Sequence, residues 1–171
     1  PTECGTVFRK KMSSSQDSEI VNLLKTAGAI IMGKTATCEL AYIHPSKTKN
    51  PHDYSRTPGG SSSGSAAVIA SHMAHLSIGS QTGGSIIRPA SYCGVVGYKP
   101  SYGLISRNGV LKTSEKLDTM GVFGKTVKDV ALLAKTLIKK DLYDPATVHF
   151  AADDMVKFCE EGPIFEPKFI F

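Results

Sequence analysis

The chain has 171 residues, of which 41% are hydrophobic and 20% are charged, a composition typical of one globular domain with a single core. Its formal net charge is +5, but the basic residues are scattered apart from one cluster at 9–11, a pattern that argues against nucleic-acid binding. Four widely spaced cysteines without a C-x-x-C pair fit neither a zinc site nor a disulfide framework. No apolar run reaches the ~20 residues that cross a bilayer. We therefore expect a cytoplasmic protein with no membrane or nucleic-acid partner.

The whole chain is predicted to form one domain, residues 1–171. It opens at Pro1 without an initiator Met and closes on the apolar "PKFIF", residues 167–171, which is typical of a strand. We therefore expect the domain to be incomplete at both ends. A homodimer is kept as a possible assembly.

The first half of the chain contains two predicted helices and two predicted strands. Residues 18–28 place apolar side chains at helical spacing and end at Gly28, a typical C-terminal cap. "AIIM", residues 29–32, predicts a short buried strand. Small and apolar residues predict a helix over 65–74, and "HLSIGSQ", residues 75–81, predicts a buried strand after it.

The second half continues the alternation of helices and strands. "GVVGYKP" (94–100) and "GLISRNGV" (103–110) predict two further strands separated by a turn. Residues 126–140 predict a helix that begins with a capping pair, Thr126 and Asp129. Its predicted apolar stripe comprises Val127, Val130, Ala131, Ala134, Leu137 and Ile138. Alternating helices and strands indicate an α/β domain in which helices cover a sheet.

One stretch matches a nucleotide-binding motif. "GAIIMGKT", residues 28–35, satisfies G-x-x-x-x-G-K-[ST], whose backbone amides and lysine bind phosphates. A P-loop follows a strand and precedes a helix, whereas here a predicted helix comes first, and Ala-Ile-Ile-Met disfavours the dihedral angles of such a loop. We favour a buried strand that ends in a Gly-Lys turn and keep a P-loop protein as the minor alternative.

A pair of histidines, His72 and His75, has a spacing that a helix would place on one face. Metal binding needs further ligands, and no third His, Cys or carboxylate stands at a useful spacing. We expect a partly exposed pair at a helix end, with neither a metal ion nor a cofactor.

Two Gly-Gly-Ser sequences, ending at Ser61 and Ser85, flank a predicted helix–strand unit. The first lies in "TPGGSSSGSAA" (57–67), which resembles a linker, but a flexible linker gives no reason for an apolar helix to follow directly. In the second, Gly83 and Gly84 have no side chains to block a substrate, so neighbouring backbone N–H groups can converge on an oxyanion. Ordinary turns explain the same residues equally well.

Ser85 is the natural nucleophile of this arrangement, but a serine hydroxyl needs a base to become reactive. No histidine with an acidic partner stands at a convincing position in the sequence. A Ser–Lys arrangement, a known variant of the catalytic triad, is therefore the favoured interpretation.

The stretch 57–110, with "GKTATCEL" before it and "LDTMGVFGKTVKDVALLA" after it, resembles the amidase signature family. The resemblance implies a mixed β-sheet covered by helices and the hydrolysis of small-molecule carboxylic amides through a serine acyl-enzyme, without a cofactor. Residue by residue, it implies that Ser85 is the acylated nucleophile and that Ser61, after a cis peptide bond, is the bridging serine. The backbone of Thr82, Gly83 and Gly84 would form the oxyanion hole.

The chain departs from the family pattern at the triad lysine. In the family this lysine precedes the segment that resembles "PTECG", and no lysine of the chain matches it, Lys34 included. The alternative is therefore a catalytically incompetent fragment or pseudoenzyme. If the local fold is intact, we expect the hydroxyls of Ser61 and Ser85 to lie ~2.6–3.5 Å apart.

A second departure lies beside the expected nucleophile. The tRNA-linked amidotransferase subunits and the fatty-acid amide hydrolases of the family usually carry Asp in place of Gln81 and an Arg two residues after the nucleophile. Here Arg88 follows Ser85 by three residues. A joint exchange avoids leaving one partner of a buried ion pair alone. On this basis we expect the chain to be closer to the small-amide amidases.

Overall fold

The computed structural model describes residues 1–161 and 165–168. Within that range the strands are β1 (Leu76–Gln81), β2 (Val96–Tyr98) and β3 (Thr119–Gly124), and the α-helices are α1 (Glu19–Thr26), α2 (Ser63–Ala70), α3 (Ile87–Tyr92), α4 (Val127–Leu137) and α5 (Met155–Phe158). The described part of the chain contains no helix with the length and apolar character needed to span a membrane.

The three strands form one sheet in the order β1-β3-β2, and both pairings are antiparallel. The register pairs Gln81 with Thr119 at one end of β1 and Leu76 with Gly124 at the other. The loop that follows β1 therefore lies beside the segment that enters β3. This neighbourhood positions the candidate site described below.

Helices cover both faces of the central strand β3, all of whose residues are buried. On one face, Met120 and Val122 belong to a core cluster that also contains buried residues of α1 and α4. On the other face, Phe123 packs in a second cluster with residues of α2 and α3. The predicted class, an α/β domain with helices on a sheet, is confirmed.

The sequence analysis did not predict β3, although it is the centre of the sheet. A strand buried on both faces lacks the polar–apolar alternation that identifies a half-exposed strand. "TMGVFG" also carries two glycines, which are depleted in strands. By contrast β1 and β2, which were predicted, are half-buried along their whole length.

Helices α1 and α4 begin as predicted, but α4 ends at Leu137 rather than at 140. At α4 the Thr126 hydroxyl accepts from the Asp129 N–H, and the Asp129 carboxylate accepts from the Thr126 N–H, which completes a capping box. Of the predicted stripe of α4, Val127 is instead 61% exposed. Gly28, just past α1, has φ +82° and donates to the Lys25 carbonyl, as a glycine after a helix commonly does.

Three further predictions of local structure are wrong. Residues 29–32 form no strand, and Ile30 and Met32 are 86% and 79% exposed, because no described strand pairs with this segment. Residues 103–110 form only an isolated bridge, through Ile105. Helix α2 ends at Ala70 rather than 74. Of the strand predicted at 167–171, residues 167 and 168 are irregular, and the rest lies outside the described residues.

A buried ion pair links the loop before β3 to the segment after α4. Arg107 and Asp144 are 2% and 1% exposed. The guanidinium donates to the Asp144 carboxylate from Nη2 at 3.0 Å and from Nε at 3.1 Å. A third bond, from the Arg107 N–H, reaches the same carboxylate. The guanidinium also pairs with the exposed Glu115 at 3.2 Å. Because Asp144 is almost fully buried, removal of the arginine leaves its carboxylate without a cation.

Arg107→Ala is expected to lower the free energy of unfolding by about 3–5 kcal/mol. The control is Arg56→Ala, which removes an ion pair with Asp53 whose arginine side chain is 77% exposed and which is expected to have little effect. Urea denaturation followed by circular dichroism measures both. Equal effects for the two variants would contradict a structural role for the buried pair.

The same pair predicts how stability depends on pH. Burial acts to raise the pKa of Asp144, but hydrogen bonds from Arg107 outweigh it and lower that pKa to about 2, from 3.8. Because the folded pKa is depressed, the contribution of the carboxylate is fully present above pH 3.8 and is lost as the pH falls towards about 2. The difference in stability between the wild type and Asp144→Asn should therefore narrow over this range. Urea denaturation at a series of pH values measures it.

Candidate active site

The serine-rich segment 57–67 is buried from Gly60 onward. Ser61, Ser62, Ser63 and Ser65 are between 1% and 6% exposed, and the last two belong to α2. Hydroxyls of the segment bond to the backbone of β1: Ser65 donates to the Ile78 carbonyl at 2.7 Å, and Ser62 donates to the Ser80 carbonyl at 3.3 Å. The resemblance to a linker is misleading, since these serines attach α2 to the sheet.

The peptide bond between Gly60 and Ser61 is cis, as predicted. The turn that leads into this cis bond requires glycine at positions 59 and 60. Gly59 has φ +76°, and a Cβ there would lie 2.9 Å from the Cα of Pro89. A Cβ on Gly60 would lie 2.5 Å from the Cys38 sulfur. The turn therefore packs between buried Cys38 and α3 at a distance that only glycine permits.

The second serine segment is a loop between β1 and α3, residues 82–85, and Gln81 closes it. The Gln81 side-chain oxygen accepts from the N–H groups of Ile86 and Ile87, at 2.8 and 3.0 Å. These amides lie at the start of α3, where N–H groups lack partners within the helix. Gln81 thus holds the two ends of the loop together.

Two backbone carbonyls join the segments to each other. The Ser62 N–H donates to the Ser85 carbonyl at 3.3 Å. The Arg88 guanidinium donates to the Gly60 carbonyl from Nε at 3.1 Å and from Nη2 at 2.9 Å. Gln81 and Arg88, which were predicted to replace an Asp–Arg pair, thus each bind backbone groups. No hydrogen bond joins their two side chains in the described chain.

Among the buried serines, Ser61 and Ser85 are distinguished by their hydroxyls. The described residues include six buried serines, and the hydroxyls of Ser62, Ser63, Ser65 and Ser106 all form hydrogen bonds. Those of Ser61 and Ser85 form none with any described residue. Both keep some contact with solvent, since Arg9 Nε is the only fully enclosed side-chain N or O atom of the described residues without a partner.

The expected contact between these two hydroxyls does not form as a hydrogen bond in the described structure. The Ser61 carbonyl is held by the Cys38 N–H and by the Thr37 hydroxyl, each at 3.0 Å. The Ser85 carbonyl is held by Ser62. The backbone of each serine is therefore fixed by neighbouring segments while its hydroxyl is available for another partner.

The loop 82–85 also presents unused backbone donors. The N–H groups of Thr82, Gly83, Gly84 and Ser85 donate to no other described residue. A Cβ on Gly83 would have no atom within 4 Å, so the space beside this residue is open. Backbone N–H groups without protein partners, next to an unbonded serine hydroxyl, can bind an oxyanion.

Asp118, which the sequence analysis missed, lies directly before β3 and is 6% exposed. Its carboxylate accepts from the Thr82 hydroxyl at 2.5 Å, and from the N–H groups of Thr113 and Ser114 at 2.6 and 2.9 Å. Burial acts to raise the pKa of Asp118, but these hydrogen bonds outweigh it and lower the pKa. The residue is therefore a carboxylate at neutral pH.

No lysine forms a hydrogen bond with Ser61 or Ser85 in the part of the chain that the structure describes. The Lys34 ammonium donates to the Thr2 hydroxyl. The stretch 28–35 follows α1, and after it the chain stays irregular up to a 3-10 turn at Glu39–Ala41. A P-loop precedes a helix directly, so the nucleotide-binding alternative lacks its structural context.

His72 and His75 do not share a helical face, because α2 ends at Ala70 and His72 has φ +57°. Both line a small cavity beside Lys125 and Asp129. Across residues 1–161 and 165–168, no group of three or more His, Cys, Asp and Glu side chains could hold a metal ion.

The fold thus has helices on both faces of a sheet and two glycine–serine segments linked by hydrogen bonds, the first of which contains a cis peptide. Residues 1–163 match the family Amidase, and the chain belongs to that family. Relatives at 44% and 42% identity are glutamyl-tRNA(Gln) amidotransferase subunits of Alkaliphilus metalliredigens and Gloeothece citriformis, aligned over 94% and 92% of this chain. The alignments cover 34% of each relative, so the chain spans about a third of their length.

Solved structures agree with this assignment. A glutamyl-tRNA(Gln) amidotransferase subunit from Thermotoga maritima superposes with a TM-score of 0.83 at 40% identity, over 87% of this chain and 34% of its own. Peptide amidase from Stenotrophomonas maltophilia superposes with a TM-score of 0.84 at 33% identity, over 91% and 35%. Amidotransferase subunits and a peptide amidase both occur among these similar proteins. The expectation that the chain is closer to the small-amide amidases stays a prediction.

Gln81→Leu is expected to lower the free energy of unfolding by about 1–3 kcal/mol, because it leaves the buried N–H of Ile86 without an acceptor. Gln81→Glu, which keeps an oxygen at the same position, should retain most of the stability. Urea denaturation of the two variants measures the difference. Equal stability of the leucine and glutamate variants would show that the acceptor at position 81 does not hold α3.

Proposed function

We propose that the protein to which this chain belongs hydrolyses carboxylic amides to a carboxylate and ammonia or an amine. In this reaction the Ser85 hydroxyl attacks the amide carbonyl to form an acyl-enzyme, and water then releases the acid. Family membership supports an amidase, and the names of similar structures, a peptide amidase and a 6-aminohexanoate cyclic dimer hydrolase, support small C–N substrates.

The observation that carries the proposal is that two buried serines have hydroxyls without a hydrogen bond to any described residue. Four of the six buried serines in the described chain use their hydroxyls to hold the fold, and Ser61 and Ser85 do not. Hydroxyls that form no bond within an otherwise hydrogen-bonded, buried segment remain available to a substrate. Ser85 also lies next to the unused N–H groups of the loop 82–85.

The proposed oxyanion donors rest on this placement, and the proposed role of Ser61 rests on the resemblance to the family. As the Ser85 oxygen attacks, negative charge develops on the carbonyl oxygen, and the N–H groups at Thr82, Gly83 and Gly84 stabilise it. The proton of Ser85 passes to Ser61, which must pass a proton on in turn. A serine hydroxyl is too weak a base to complete this transfer alone, so the relay needs a lysine as its final proton acceptor.

The second candidate is a chain that binds but does not turn over substrate by itself. The observation in its favour is that no lysine of the described residues is hydrogen-bonded to Ser61 or Ser85, so the proposed relay has no final proton acceptor among these bonds. Loss of one triad member leaves only a small residual activity. The two candidates differ in rate rather than in the identity of the nucleophile.

We expect the 171-residue chain to react very slowly with a fluorophosphonate probe and to show no measurable turnover of simple aliphatic or aryl amides. Mass spectrometry of tryptic peptides should place the label on Ser85. Ser85→Ala should abolish the label, and Ser91→Ala, which changes an exposed serine of α3, should leave it unchanged.

A longer form of the protein that supplies the family lysine should label faster at the same serine. Brisk turnover by the 171-residue chain would instead show that one of its own lysines serves as the base. Labelling that survives Ser85→Ala would overturn the assignment of the nucleophile.

A further inference from the structure

The loop 82–85 is held at its two ends by different side chains. Gln81 fixes the end that enters α3, through the N–H groups of Ile86 and Ile87. At the other end the Thr82 hydroxyl donates to Asp118. Thr82 is itself exposed, so packing does little to fix its position. Two side-chain hydrogen bonds link this end of the loop to the rest of the described chain. One joins the Thr82 hydroxyl to Asp118, and the other joins it to the Thr113 hydroxyl at 2.9 Å.

Asp118 is suited to hold the loop because several hydrogen bonds fix its own position. Besides Thr82, its carboxylate accepts from the N–H and hydroxyl of Thr113 and from the Ser114 N–H. Its backbone N–H donates to the Ser114 carbonyl at 3.1 Å, and the next residue, Thr119, begins the buried central strand. The Asp118 carboxylate is therefore held by several bonds, whereas the exposed Thr82 side chain is held by its hydroxyl bonds to Asp118 and Thr113.

We propose that Asp118 is a positioning residue for amide hydrolysis: by holding Thr82 it keeps the N–H groups of the loop 82–85 aligned beside the Ser85 hydroxyl. This inference rests on the proposed function. A backbone donor contributes to oxyanion binding only while it points at the developing charge, and a misplacement of about 1 Å is enough to reduce a rate strongly. A loop released at Thr82 would keep its residues but lose this alignment.

Thr82→Val tests the link, because it removes the hydroxyl and leaves the contacts of Asp118 with residues 113 and 114. Thr82→Ser keeps the hydroxyl and is the rescuing variant. The matched control is Thr119→Val, the same substitution at a buried neighbour whose hydroxyl donates to the Leu117 carbonyl and does not bond to the loop.

For each variant of the 171-residue chain, two properties of the loop are measured alongside the urea midpoint, which reports overall stability. The first is amide hydrogen exchange at Gly83 and Gly84, followed by NMR. The second is the fluorophosphonate labelling rate at Ser85, followed over a day by intact mass. We expect Thr82→Val to speed the exchange and to slow the labelling about tenfold, Thr82→Ser to behave like the wild type, and Thr119→Val to change only the urea midpoint.

The result that overturns the proposal is unchanged exchange and labelling in Thr82→Val, or an equal effect of Thr119→Val. If Thr82→Val does not fold, Asp118→Asn replaces it, and unaltered exchange at Gly83 and Gly84 in that variant overturns the proposal. If the wild type shows no label at Ser85, the proposed function fails, whereas the exchange data still decide whether Asp118 orders the loop.

Discussion

The candidate site depends on one connection, in which side-chain and backbone donors of each serine segment bind a carbonyl of the other. Arg88 binds the Gly60 carbonyl with two N–H groups, and the Ser62 N–H binds the Ser85 carbonyl. These bonds link residues that are more than 20 positions apart in the chain, and they determine the relative placement of Ser61 and Ser85. Hydrogen bonds to a charged guanidinium are stronger than those between neutral groups, so Arg88 is the stronger of the two links.

The sheet supplies the support for this connection. Serine hydroxyls of the first segment bind carbonyls of β1, and the antiparallel register places the residue after Gln81 beside the residue before Thr119. Thr82 can therefore reach Asp118, although 36 positions separate them. The buried pair of Arg107 and Asp144 in turn joins the loop that precedes β3 to the segment after α4. A chain of fixed positions thus extends from the core to the loop 82–85.

Local patterns predicted the elements whose physics is local. The helical spacing and caps of α1 and α4 were sufficient because capping and the i, i+4 stripe involve neighbouring residues. The pattern failed where burial depends on distant partners. β3 has no alternation because helices cover both of its faces, and "AIIM" is as apolar as a buried strand yet has exposed side chains, since the described chain offers it no neighbour. Apolar character predicts that a segment will pack against another part of the protein but does not reveal which part.

The sequence by itself determined the residues of the candidate site and the family. It supplied the paired Gly-Gly-Ser motifs, the glycines that permit a turn against Cys38 and Pro89, and the resemblance that predicted the cis bond at Ser61. Only the tertiary structure decided which hydroxyls hold the fold and which are free. Ser62 and Ser65 are identical in type to Ser61, but their partners are carbonyls 18 and 13 positions away. It also decided that Asp118 meets Thr82, because hydrogen bonding depends on proximity in space, and the pairing of β1 with β3 creates that proximity.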